Sequence, residues 1–203
     1  MTAQRDRETA ARYGRVTGMS PFGLLCLVGL FAIFSSTLAK SPVLPLFAHA
    51  LGAAEADVGL VAAASTVVGI LVSLPAGVLS DVWGRRRVIL LAMSVFASAP
   101  FLYLTVTGVY GLVAVRVYHG LATAIFGPVA LALVADLFVK ARGEKLGWYS
   151  SATLIGRSAA PLAGGAILGA VAVGSLMGYR LIYLNCGAAG LAALLLSLRL
   201  PAP

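Results

Sequence analysis

Acidic residues are scarce in this chain. Seven Asp and Glu stand against fifteen Lys and Arg in 203 residues, and none of the seven falls in the middle of an apolar run. The apolar runs therefore supply no carboxylate proton carrier. Charge of either sign is sparse, at 11% of residues against 60% hydrophobic, and the mean hydropathy of +0.97 excludes a soluble domain of ordinary make-up. There are two cysteines, Cys26 and Cys186, both inside apolar runs, where a free thiol behaves as a small buried hydrophobe. Neither forms a metal-binding spacing. The two histidines, His49 and His119, support no catalytic dyad, and H-E-x-x-H, G-x-S-x-G and phosphate-cradling loops are missing. These absences argue against an enzyme, a metal site and a cofactor. The net charge of +8 and pI near 10.0 come from short basic clusters without interleaved aromatics, which argues against nucleic acid as a partner.

Long apolar runs dominate instead, and they imply an all-α, polytopic membrane protein. Residues 1–20 form a polar tail with Arg5, Arg7, Arg12 and Arg15 against Asp6 and Glu8. Six spans follow at about residues 21–39, 58–79, 88–106, 111–134, 146–173 and 180–198, each of a length that crosses a bilayer. The charged start also fits a secretory signal with a weak cleavage site at Thr37-Leu38-Ala39, but the run is long for a signal and further spans follow. Residues 40–57 read as a loop broken by Pro42 and Pro45. In the second span Ala62, Ser65, Gly69, Ser73 and Gly77 recur three and four apart, a small face on which another helix can pack closely.

Six spans put both termini on one side. That side holds Arg5, Arg7, Arg12, Arg15, Arg85, Arg86, Arg87, Lys140, Arg142, Lys145 and Arg199, which is eleven of the fifteen basic residues. The positive-inside rule makes it cytoplasmic, in the cell membrane. A faint internal repeat accompanies this topology: Thr66-Val67-Val68-Gly69 leads to Pro75 and Gly77, and Thr153-Leu154-Ile155-Gly156 leads to Pro161 and Gly164. The two spans cross in opposite senses, as a 3+3 inverted repeat requires.

Three places hold polar chemistry. Residues 77–87 pack Gly77, Asp81, Gly84 and the run Arg85, Arg86, Arg87 between two spans, with Asp81 and Arg85 four apart and able to pair. The fourth span carries Arg116, His119, Gly120, Thr123 and Gly127 on one face. Arg116 lies roughly 10 Å deep at helical rise, and a mid-membrane Arg costs about 3 kcal/mol on the insertion scale unless it has a partner or a wet cavity. Either it meets a ligand or it braces helices internally. His119, one turn on, either titrates near neutral pH or is a packed polar residue. Arg157 in the fifth span lies roughly 16 Å from the span's start at helical rise; an anionic group, a carboxylate outside this chain or an internal ion pair would each serve as its partner.

These residues carry a resemblance. Gly77-Val78-Leu79-Ser80-Asp81-Val82-Trp83-Gly84-Arg85-Arg86-Arg87 resembles the signature after the second helix of the major facilitator superfamily, with Val82 at a place where a basic residue is usual. Leu112 to Gly120 is similar to the fourth-helix pattern, with His119 where Gln is commoner. Gly156, Ala160, Pro161, Gly164 and Gly165 resemble the fifth-helix antiporter motif, Ala160 replacing a Gly.

The resemblance covers all six spans and matches the N-terminal half of a twelve-helix fold. It implies a proton-coupled exporter of small organic compounds working by alternating access, whose partners are the lipid bilayer, protons, a small-molecule substrate and a C-terminal six-helix half or a second copy. Asp81, Arg85, Arg86 and Asp136, with Gly77 and Gly84, would gate the cytoplasmic side. Arg116, His119 and Arg157 would serve substrate binding or proton coupling. Gly156, Ala160 and Gly164 would pack a helix of the other half. The alternative is a six-helix membrane subunit that binds or regulates a partner protein without transporting.

Overall fold

The computed structural model describes residues 20–171 and 176–201, so the basic tail with Arg5, Arg7, Arg12 and Arg15, and the end of the fifth span at 172–173, lie outside the described residues. Seven α-helices and two 3-10 turns make up the described fold: α1 Pro21–Leu38, α2 Val43–Ala50, α3 Glu55–Trp83, α4 Arg85–Leu102, α5 Val109–Leu137, α6 Arg142–Ala170 and α7 Leu176–Ser197. Among the described residues there is no strand.

Local chemistry sets the boundaries. The Ser20 hydroxyl accepts the Gly23 amide at 3.0 Å and Pro21 occupies the first turn, so α1 begins with one orphan donor capped and another absent. The short helix α2 corrects the expected loop: Pro42 sits at its cap and Pro45 in its first turn, where a missing N–H removes no helical bond. α3 and α4 are separated by a single residue, Gly84, at φ 90° and ψ 137°, a conformation that side chains with a Cβ avoid. Thus most of residues 77–87 is helical, not an open turn. Asp136 likewise lies within the last turn of α5, and Arg142, Glu144 and Lys145 begin α6.

Among the described residues, five segments are long and apolar enough to cross a membrane: Pro21–Ala50, Glu55–Trp83, Arg85–Thr105, Val109–Leu137 and Leu176–Ser197. α6 matches them in length, at 29 residues, but not in apolarity, because Ser150, Ser151, Thr153, Arg157 and several glycines dilute it. A helix of that composition needs protein or water along part of its surface.

The principal pairings are α3 with α5, α1 with α6, α4 with α5, α1 with α7, and α4 with α7. This set maps onto itself when α1 is exchanged with α5, α3 with α6 and α4 with α7, as two three-helix units would require. α1, α4, α5 and α7 hold the core. One buried cluster runs from Leu24 and Leu25 through Met93 and Phe96 to Phe126 and Leu133, and a second joins Leu38, Phe47, Tyr103, Leu112 and Tyr183. α3 and α6 stand on the outside and bury only narrow strips, Val61, Ala76 and Ser80 on the one, Tyr149, Gly156, Ala160 and Gly164 on the other.

Close backbone approaches fix these pairings. A Cβ on Gly156 would sit 2.5 Å from the Leu30 carbonyl oxygen, and one on Gly164 would meet Pro42 and Leu38 at 3.1 and 3.2 Å. The small face of α6 therefore packs α1 of the same bundle, which corrects the expectation that it meets a helix of another half. Along the small face of α3, Ser65 abuts Gly120, whereas Gly69 and Gly77 have nothing within 4 Å of a would-be Cβ. The packing strip of α3 lies instead on Val61, Ala76 and Ser80.

Candidate functional site

Two polar clusters stand out, one at the end of α3 and one inside the bundle. At the end of α3, the Asp81 carboxylate lies four residues before Arg85, and the continuous backbone across Gly84 brings the Arg85 Nη1 to 2.6 Å from Asp81 Oδ1. Arg85 Nε donates to Asp136 Oδ2 at 3.1 Å, reaching across to α5, and Nη1 also bonds the Ser80 hydroxyl, which itself donates to the Gly77 carbonyl at 2.7 Å. The Arg85 side chain is 19% exposed, against 62% for Asp81 and 45% for Asp136, so a shielded cation holds two wetter acids. Arg86 turns the other way and donates from Nη2 to the Leu198 carbonyl at 2.7 Å, tying the start of α4 to the residue after α7. Val82 is exposed beside the cluster and takes no part in it.

Within the bundle, Arg116 and His119 lie one turn apart on α5 and are almost wholly buried, at 2% and 1% exposure. Gly120 lets α3 approach, so that the Ser65 hydroxyl accepts from Arg116 Nη2. The Nε and Nη1 groups of the same guanidinium have no partner. His119 is walled by rings: Phe96 edge-on at 5.7 Å, and Tyr103, whose hydroxyl lies 3.4 Å from Nδ1. Its Nε2 is also unpartnered. Tyr103 stacks on Tyr183 with centroids 4.3 Å apart and planes within 2°, and the buried Tyr183 hydroxyl lacks a partner too. Thr123, a turn beyond, pairs its hydroxyl with Ser36 of α1 at 3.3 Å.

Arg157 sits on the exposed side of α6, next to Gly156 in sequence and about 100° around the helix from it. Lys40, in the turn after α1, lies within the electrostatic field of both Arg116 and Arg157. The structure thus gathers Arg116 with His119, and Asp81 with Arg85 and Asp136. Of the α6 motif, Pro161 is half-buried and Gly165 faces open space, apart from the α1 contact.

Sequence reasoning missed Lys40, Ser65, Tyr103 and Tyr183. Lys40 follows the first apolar run directly, and a long side chain there can turn back along its own helix. Tyr103 and Tyr183 were visible as hydroxyl-bearing aromatics in apolar runs, a signal too common in membrane helices to single them out.

No described group of three or more His, Cys, Asp and Glu could hold a metal ion. The chemistry available is hydrogen bonding by buried donors and attraction of negative charge. Comparison with known proteins shows the family of the chain. The family model for the Major Facilitator Superfamily matches residues 25–203. The chain is similar to an MFS-type transporter of Methanocaldococcus jannaschii, at 28% identity over 77% of this chain and 39% of that one. It is also similar to the quinolone resistance protein NorA of Staphylococcus aureus, at 27% identity over 83% of this chain and 42% of that one. A crystal structure of tetrameric PepTSo2 superposes with a TM-score of 0.77 at 18% identity, over 86% of this chain and 39% of that one. The chain thus spans about two fifths of the length of the curated relatives it matches.

Proposed function

The chain belongs to the Major Facilitator Superfamily, and on that premise we propose that it is the N-terminal half of a secondary transporter that exports small organic compounds in exchange for protons. The observation that carries the reading is the Arg85 cluster. A shielded guanidinium that bridges Asp81 and Asp136 adds a charged link between the end of α3, the start of α4 and the end of α5 to the packing of those helices. Such a joint can open and re-form as bundles rock about a central site, because partly exposed pairs exchange readily for water.

In this reading the Arg85 end is cytoplasmic, both termini lie on that side, and the exposed flanks of α3 and α6 are covered by a second six-helix bundle or a second copy of the chain. Alternating access needs two bundles. The similarity to a quinolone resistance protein supports small organic compounds as the substrate class. Arg116 lies toward the opposite end of α5 from the gate, where a cargo or a proton-carrying group would reach its free Nε and Nη1.

The test is accumulation of a fluorescent lipophilic compound in cells that express the full protein, with and without a protonophore. Export that stops when the gradient collapses supports the reading, and unchanged export refutes proton coupling. Arg116→Ala should lower export about tenfold or more while membrane insertion persists, since it removes a charge-assisted contact worth about 1.5–3 kcal/mol.

A further inference from the structure

We propose that the cavity of this bundle takes an anionic cargo, an organic compound bearing a carboxylate or phosphate, held by Arg116, Arg157 and Lys40. The inference rests on the transporter reading and adds the charge of the substrate to it.

The first ground is the state of Arg116. Its side chain is buried, one guanidinium nitrogen donates to Ser65, the Tyr103 hydroxyl stands beside the group, and neither Nε nor Nη1 has an acceptor within hydrogen-bonding geometry. A guanidinium out of water with donors to spare requires an acceptor, and a charged one answers it best.

The second ground is that the bundle offers no acid to answer it. Each described carboxylate is already engaged elsewhere: Glu55 faces His49 at 3.6 Å, Asp57 accepts the Ala54 amide at 3.1 Å, Glu144 pairs with Lys145 at 3.0 Å, and Asp81 and Asp136 share Arg85. All five lie at helix ends.

The third ground is crowding of like charge. Lys40 feels both Arg116 and Arg157, and the field of Arg116 and Lys40 also reaches His119. Lys40 is repelled by each of the two arginines, and no carboxylate of the described bundle pairs with any of the three. An oxyanion among them offsets that repulsion. The unpartnered Tyr183 hydroxyl and His119 Nε2 add neutral hydrogen-bonding groups beside the same guanidinium. A lipophilic cation would meet only repulsion there.

The experiment reads the cavity's charge without needing the cargo. In the full protein, Ser65→Cys is introduced on a background of Cys26→Ala and Cys186→Ala. The membranes are then treated with sulfonatoethyl or trimethylammonioethyl methanethiosulfonate. In each case the cysteine thiolate attacks the reagent's thiol-side sulfur, a mixed disulfide forms and methanesulfinate leaves. Rates are normalised to those of free mercaptoethanol. The reagents differ by two charges, so a local potential of a few kT per charge gives a preference for the sulfonate of roughly tenfold or more. That preference should fall by about threefold or more in Lys40→Gln and again in Arg157→Gln. Thr123→Cys, two turns along α5, serves as a second reporter if Ser65→Cys does not fold.

A normalised ratio near one, or one favouring the ammonium reagent, overturns the proposal, since it means that a carboxylate from another bundle neutralises the cluster. Failure of both reagents at both reporters also overturns it, because no aqueous cavity then reaches Arg116. Gradient-dependent export is read independently, so an exporter of uncharged or cationic compounds would leave the transport reading standing while this one fell.

Discussion

Gly156 and Gly165 belong to one motif on one helix, and the structure assigns them opposite roles. A Cβ at 156 would lie 2.5 Å from the Leu30 carbonyl oxygen, 3.3 Å from its carbon and 3.4 Å from its Cα, all of them backbone atoms of α1. Ordinary C···O contact is about 3.3 Å, so α1 and α6 would have to part by about 0.8 Å. Along the rest of the seam that gap weakens the contacts of Gly29 with Tyr149 and of Gly164 with Leu38 and Pro42. A radial gap of this size forfeits roughly a quarter to a half of each contact's attraction, and overpacking of this kind costs about 1–3 kcal/mol. At 165 there is nothing within 4 Å. Both alanines gain the same helix propensity, about 1 kcal/mol over glycine, so the difference between the two variants isolates the steric cost. Gly156→Ala should therefore be about 1–3 kcal/mol less stable than Gly165→Ala, or several degrees lower in Tm at about 2–4 °C per kcal/mol. Thermal unfolding of the protein in mild detergent, followed by circular dichroism, measures it. Midpoints that agree to within about 1 °C would refute the α1–α6 seam, and with it the claim that this face is used within the bundle.

Arg85→Ala should cost more stability than Asp81→Asn or Asp136→Asn, because it removes both ion pairs and the bond to Ser80 at once. With both acids about half exposed, each pair contributes about 1 kcal/mol or less, and raised salt should narrow the gap between wild type and Arg85→Ala. Unfolding midpoints at low and high salt check this, and three equal, salt-independent losses would contradict a shared hub. Gly84→Ala should cost about 1–3 kcal/mol through backbone strain alone, since φ is 90° and the space around it is empty. A neutral Gly84→Ala in the same unfolding measurement would mean that the α3–α4 break tolerates another conformation.

Much of the architecture was legible in the sequence because hydropathy counts residues, and a bilayer demands a nearly fixed number of them. The Asp81–Arg85 pair was legible for the same kind of reason: four residues is one helical turn, and the partners share an element. Asp136 sits 51 residues beyond Arg85, so only the family resemblance brought it in. Small faces were half legible. Gly156, Ala160 and Gly164 announce a close approach, but a small residue does not encode which neighbour approaches, and α1 took the place expected for a helix of another half. The loop after the first span was misjudged because a proline breaks a helix only past its first turn. Ser65 and Lys40 were invisible as site residues, since their roles depend on where Arg116 points.

The exchange of α1 with α5 and α3 with α6 makes α3 and α6 equivalent in position, each an outer helix with a narrow buried strip. They are not equivalent in chemistry. Outside its strip α3 presents Ile70, Leu71, Leu74 and Val78, each more than 60% exposed, a surface that lipid or an apolar partner satisfies equally well. The outer surface of α6 carries Ser150, Ser151, Arg157, Ser158 and Gly165 among its apolar residues, and this is the helix that falls short of a membrane span's apolarity. The Ser151 hydroxyl donates to the Gly147 carbonyl of its own helix, but lipid cannot satisfy the Arg157 guanidinium, so α6 must turn that side toward protein or water. The two units of the repeat therefore share their geometry and differ in the polarity of their outer helices. The same asymmetry recurs inside the bundle: α5 bears Arg116 and His119, whereas its counterpart α1 contributes only the hydroxyls of Ser35 and Ser36. Arg116 on α5 and Arg157 on α6 both belong to the second three-helix unit, whereas α1 carries no charge and the charges of α3, Glu55, Asp57 and Asp81, lie at its ends; Lys40 follows α1 within the field of both arginines.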